Sequence, residues 1–214
     1  MVAYLKKLKV PYRHDIEREV DYRFMADARR LITVKDIPAL GSGRNGRQKP
    51  IKFGAQAQSG YAANRQTEIT QRVSRSLAVI RRDHISDVPP ETVMITCRKE
   101  LWFGRNDNMP GPFAKWSRMF KARWVPNVTR GTNDYVDCSH LIYLWDQNIH
   151  PAHSQWLRVN DSETKEEYAL SELIQWVYRS RVRRGEPITL YMPCQRMREL
   201  LLEWMNGEVE RVAA

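Results

Sequence analysis

The sequence is poor in the residues that most enzyme and scaffold classes depend on. Its 214 residues include only three cysteines, Cys97, Cys138 and Cys194, far apart and odd in number. That excludes a disulfide framework and points to a reduced, cytoplasmic compartment. Cys97 and Cys138 read most simply as small buried residues beside strands. No Cys/His spacing matches a zinc site; His140, His150 and His153 invite a metal reading, but His150 and His153 lack a carboxylate or cysteine at ligand spacing, so no metal is expected. No apolar run approaches the ~18 residues of a bilayer span, so no membrane partner is expected. The first residues, MVAYLKKLKVPYRHD, are basic but hold no apolar core, so no secretory signal is expected. Neither a Ser-His-Asp arrangement nor paired carboxylates can be inferred from spacing. A phosphate loop of the form GxxxxGK(S/T) and a metal-holding Asp-Glu pair are also missing. Gly41 to Gln48 (GSGRNGRQ) spaces two glycines correctly, but Arg47 and Gln48 replace the lysine and the hydroxyl. Pro50 then stands where a helix should start. The lysine supplies compact charge at the β/γ-phosphates and the hydroxyl holds magnesium, so nucleotide hydrolysis by this chain alone is not expected.

What the sequence has is positive charge and enough apolar residues for a core. The net charge is +10, the pI is near 9.7, and hydrophobic residues make up 42%. This suits one sizeable domain, or one domain with an appendage. A balance this basic favours a polyanionic partner, usually nucleic acid, although it also serves solubility.

Periodicity divides the chain near residue 86. Residues 14–32 read as a helix with Ile16, Val20, Phe24 and Ala28 at every fourth position. LITVKDIPAL reads as a short strand and a turn. Residues 41–66 hold five glycines, five Lys/Arg and no acid, and read as a mobile basic loop. Residues 66–83 return to helix. Residues 1–85 are therefore expected to be a smaller, mainly helical region around that loop. Beyond it, strands at Val93–Thr96, Leu141–Trp145 and residues 188–192 alternate with helices at 162–180 and 197–205. That alternation predicts an α/β domain with a parallel sheet over 86–214. FAKWSRMFKARW is expected to be helical, with Trp116 and Phe120 in the core. Lys115, Arg118, Lys121 and Arg123 are interleaved there with aromatics, which are the ingredients for binding single strands.

QWVYRSRVRRGEPITLYMP places arginines at 179, 181, 183 and 184 after a helix whose acids come early. The helix dipole alone accounts for some of this polarity. Arg179 and Arg183 at i, i+4 nevertheless repel each other unless an anion is near. The helix is expected to end near Ser180, leaving the arginines at a sheet edge, where bidentate guanidinium suits phosphate.

The order of these signals resembles the C-terminal RecA-like half of a superfamily two helicase, of the type found in phages and mobile elements. A strand (MITC, 94–97) is followed by TRGTNDYVDCSHLIYLWD, then a helix with a Gln, then arginines, then a strand. The resemblance covers residues 88–205. It implies that Arg130, Gly131, Thr132 and Asn133 contact nucleic acid and that Asp134 couples to nucleotide. It implies a finger of Gln175, Arg179 and Arg183 that reaches the γ-phosphate of ATP with Mg2+. Tyr178 stands in place of the motif's glycine, and Val182 displaces the last arginine by one position. The missing phosphate loop implies either a separate P-loop protein as partner or survival as a nucleic-acid-binding remnant. The implied function is that of a helicase-like nucleic-acid-binding protein of phage or mobile-element replication, with DNA ahead of RNA. The alternatives are a non-enzymatic backbone binder and a packaging protein that uses residues 41–66 as an arm.

Overall fold

The computed structural model describes residues 22–41, 49–64, 67–128, 133–158 and 161–207. In chain order the elements are α1 (Tyr22–Leu31), β1 (Ile32–Lys35), α2 (Ala55–Ala63), α3 (Glu68–Asp83), β2 (Val93–Thr96) and α4 (Lys99–Trp102). They continue with β3 (Arg123–Trp124), β4 (His140–Tyr143), α5 (Pro151–Leu157), α6 (Ser162–Val177), β5 (Ile188–Tyr191) and α7 (Gln195–Met205).

All strand pairings are parallel, in the order β1-β5-β4-β2-β3. The strands are short and apolar because a parallel sheet covered on both faces must bury both sets of side chains. Alternate residues serve opposite layers. Met94, Leu141, Tyr143 and Leu190 pack against α1, α6 and α7 through Ala28, Leu173, Trp176 and Leu201. Val93, Ile95, Ile142 and Tyr191 pack on the other side with Val73 and Leu77 of α3, and with Phe53, Trp102 and Phe113. The result is a three-layer α/β/α sandwich, as expected for the α/β class.

Local signals fix the helix ends. Thr67 and Thr70 form a reciprocal capping box at the start of α3. Asp161 caps α6 by accepting from the Thr164 N–H at 2.6 Å. α6 stops at Val177, and the buried Ser180 then starts a separate 3-10 turn at Arg181–Arg184, closed by Gly185 at φ +75°. Glycine adopts that left-handed conformation without a Cβ penalty.

Three expectations are corrected. The division at 85/86 does not separate two cores: Ile32–Lys35 pair residue for residue with Ile188–Tyr191, so β1 is an edge strand of the same sheet. The 41–66 loop contains α2, and Ile51, Phe53 and Gln58 within it are buried; residues 42–48 and 65–66 lie outside the described residues. The FAKWSRMFKARW segment is a run of turns ending in β3, not a helix. There Ser117 donates to the Ala114 carbonyl (2.8 Å) and accepts from the Met119 N–H (3.0 Å), and Arg118 takes φ +57°. Such local side-chain bonds compete with helical pairing. Phe120 is half-buried, whereas Trp116 is 64% exposed instead of lying in the core.

Candidate nucleic-acid interface

β4 and β5 are neighbours and run parallel, so the segments leading into them emerge side by side at the amino edge of the sheet. The Thr189 N–H donates to the Ser139 carbonyl at 3.0 Å, and the Arg181 N–H to the Cys138 carbonyl at 3.3 Å. This register brings the turn at 133–137 against the arginine turn at 181–184.

Four guanidinium groups converge there. Arg183 Nη1 donates to the Asn133 side-chain oxygen. Arg123, at the start of β3, donates to the Asp134 carbonyl. Arg181 Nε donates to the Pro187 carbonyl at 2.6 Å. All three acceptors are neutral, so these bonds orient the guanidinium groups without cancelling their charge. Arg184 differs, because its Nη1 meets Asp137 at 3.0 Å and its Nε meets Glu186 at 3.0 Å. These are exposed ion pairs of small net value. His140 registers the local field. Its pKa is lowered, chiefly by burial and then by the positive charge of Arg181 and Lys35, with Asp87 acting the other way. Its Nδ1 lies 2.9 Å from the Ser139 hydroxyl.

The residues expected to act together are therefore partly assembled. Asn133, Asp134, Arg123 and Arg183 share one edge. Lys121 lies near it, 3.9 Å from Glu91. Gln175 does not join them: it is exposed and donates to Ser171 one turn back on α6 at 3.2 Å. Because α6 ends at Val177, Gln175, Arg179 and Arg183 do not form one helical line; Arg179 is half-buried just beyond the helix. Lys115 and Arg118 sit on the turn segment facing α3. Arg130, Gly131 and Thr132 lie outside the described residues.

The edge itself differs from the one at which open α/β sheets usually gather ligands. In such sheets ligands bind beyond the carboxyl ends of the strands, where neighbouring crossovers depart in opposite directions. Here β2 connects toward β3 and β4 toward β5, so that switch lies between the carboxyl ends of β2 and β4. The chain fills it with its own side chain. Gln58, fully buried, donates to the carbonyls of Phe53 (2.7 Å) and Leu144 (2.9 Å) and accepts from the Arg98 N–H at 2.8 Å. Nearby, Arg196 is paired with Asp146 at 2.6 Å and Arg198 with Asp36 at 2.7 Å. The arginine turn therefore lies at the opposite edge from the one at which open α/β sheets usually bind ligands.

Two further residues carried no sequence signal. Gln58 stands in AQAQSGYAA, which has no periodicity. Arg72 of α3 donates to the carbonyls of Ala39 (2.6 Å), Gly41 (3.1 Å) and Lys49 (3.3 Å), so it ties both flanks of the 42–48 segment to one helix. No helix begins at Pro50, and the next one starts at Ala55.

Comparison with known proteins agrees with this architecture. No solved structure matches the chain. A segment of 80 residues is 36% identical to the SPbeta prophage-derived uncharacterized protein YonV of Bacillus subtilis (strain 168). That segment covers 37% of this chain and 20% of the relative, so most of the relative lies beyond the match. The family model described as the YonV C-terminal Rossmann-like domain matches residues 26–205. That span begins within α1 and ends with α7, so it takes in the whole five-stranded sheet. The chain belongs to the family of YonV C-terminal Rossmann-like domains.

Proposed function

We propose that this domain binds nucleic acid by contacting backbone phosphates along the amino edge of its sheet. The observation that carries the proposal is that Arg123, Arg181 and Arg183 are each held there by a neutral oxygen. Guanidinium groups that are oriented but not neutralised suit bidentate phosphate contact. The +10 net charge supports the same reading. Similarity to a prophage-derived protein suits a phage or mobile-element setting. The test is fluorescence anisotropy with a labelled single strand across a salt series. Each phosphate contact contributes about 0.7–0.9 to the slope of log affinity against log salt. Wild-type binding that ignores both salt and Arg183→Ala would sink the proposal.

A second reading is supported by the Arg183–Asn133 contact, which sets the two helicase-like motifs side by side. In it the domain is the arginine-finger half of an ATP-driven motor. Arg179 and Arg183 serve the γ-phosphate, Asp134 couples to nucleotide, and a separate P-loop protein supplies ATP and Mg2+; Gln175 would first have to leave Ser171 to take an orienting role. This reading predicts that strand affinity changes when ATP, magnesium and such a partner are added. The backbone-binding reading predicts no change.

A further inference from the structure

Trp116 stands apart from the arginine edge and is the most exposed large apolar side chain among the described residues, at 64%. Its main chain is anchored: the Trp116 N–H donates at 3.1 Å to the hydroxyl of Ser74, a fully buried residue of α3. The ring is thus presented outward from a fixed point. Lys115 Nζ lies 5.3 Å from the ring centroid, within cation–π range. The ring borders a cleft of about 310 Å³ whose walls include Thr70, Gln71, Pro110, Pro112 and Lys115. No acid lines that cleft. The wall at 110–112 is packed tightly on main chain, because a Cβ at Gly111 would lie 2.5 Å from the Phe103 carbonyl oxygen. Arg75, exposed, follows Gln71 by four residues and shares its face of α3. Arg118, also exposed, follows two residues after the ring.

We infer that Trp116 is a stacking platform for a nucleobase of a single strand, with Lys115, Arg75 and Arg118 placed for the flanking phosphates. The inference rests on the nucleic-acid reading above and adds the class of strand. An exposed aromatic face among cations and neutral groups fits an unpaired base, whose own face is free, and not a duplex, whose base faces are stacked on one another. Arg123 is seven residues from Trp116, at most ~25 Å of extended chain, so one strand can touch both the platform and the arginine edge.

The experiment measures binding of the full chain to three labelled probes at one low salt concentration: an oligothymidine, an abasic strand of the same length, and a duplex. The variants are Trp116→Ala, Trp116→Phe and Arg183→Ala, each checked for an unchanged melting curve. The thymidine strand is expected to bind roughly 5- to 150-fold more tightly than the abasic one, the range for stacking a single base. Trp116→Ala abolishes that preference, while Trp116→Phe keeps most of it. Arg183→Ala weakens both strands alike. Equal wild-type affinity for the thymidine and abasic strands overturns the platform and leaves backbone binding intact. A thymidine preference that survives Trp116→Ala also overturns the platform. Failure to bind any strand removes both readings.

Discussion

The guanidinium of Arg183 donates to the side-chain oxygen of Asn133, fifty residues earlier in the chain. The contact exists because each residue precedes one of two adjacent parallel strands. Asn133 is thereby a positioning residue for Arg183. Arg183→Ala is expected to weaken single-strand binding and to lower the salt slope by about one. Asn133→Ala should weaken binding less and leave the slope in place, because the charge remains. Anisotropy titrations of the two single variants and the double variant separate charge from orientation.

His140 gives a spectroscopic report on the same edge. Its pKa lies below 6.5 through burial and the charges of Arg181 and Lys35. A polyanion bound at the edge offsets those charges, so the pKa should rise when a strand is added, as read from imidazole NMR shifts against pH. The same shift bears on stability. The folded state holds its proton less tightly than the unfolded state, so stability is lost as pH falls through 6.5 toward the lowered folded value. His140→Gln should flatten that part of the urea-stability profile.

Gln58 fills the switch point with three hydrogen bonds and no exposure. Gln58→Ala leaves backbone groups of Phe53, Leu144 and Arg98 without this partner, at an expected cost of about 2–4 kcal/mol in a urea melt. Gln58→Glu should be at least as damaging at neutral pH, because a carboxylate cannot donate to two carbonyls. Its defect should shrink as pH falls and the side chain becomes protonated. A neutral effect of both substitutions would show that the switch point is not held by this residue.

Gly111→Ala should destabilise the fold by overpacking. The new methyl would lie 2.5 Å from the Phe103 oxygen and 2.6 Å from the Leu101 oxygen. Distances that short force the backbone to move, at a cost of about 1–3 kcal/mol or more. Thermal melts of this variant, beside a control at the exposed, open Gly60, measure the difference.

The thiols should be inert in the folded protein. Burial pushes Cys138 and Cys194 up to about 11, and Cys97 higher still. At pH 8 only about one thiol in a thousand would be ionised at such a value. Iodoacetamide labelling followed by mass spectrometry should modify all three quickly in urea and slowly in buffer.

Much of the sheet was legible in the sequence, because each central strand is a short apolar run bounded by polar or Pro/Gly segments. Val93–Thr96, the stretch around Leu141 and the one around Leu190 are of this kind. α6 and α7 were legible through the spacing of Leu170, Leu173, Val177 and of Met197, Leu200, Leu201. The membership of β1 was not legible: four residues of strand propensity carry no information about a partner more than 150 residues away. α2 was hidden because its helix rests on tertiary contacts of Ile51, Phe53 and Gln58, set in a glycine-rich basic stretch. Trp116 misled because its spacing from Phe120 imitates a helical stripe, while Ser117 and Arg118 break the helix between them. At the candidate site, the adjacency of the 133–134 turn and the arginines was implied only by the order of motifs. The neutral acceptors that hold them are set by tertiary contacts that no local spacing encodes.

The pairing of β1 with β5 also constrains how the protein can be made. Ile32 leaves the ribosome long before its partner Ile188 has been synthesised. At ~5–20 residues per second the interval is roughly 8–30 s. During it, β1 is an unsatisfied strand edge that can pair with any extended segment nearby, including the same segment on a neighbouring nascent chain. Pairing with β5 closes one side of β1, while its other side remains the edge of the finished sheet. Chains cut short before Ile188 should aggregate through their first strand, however sound the rest of their sequence.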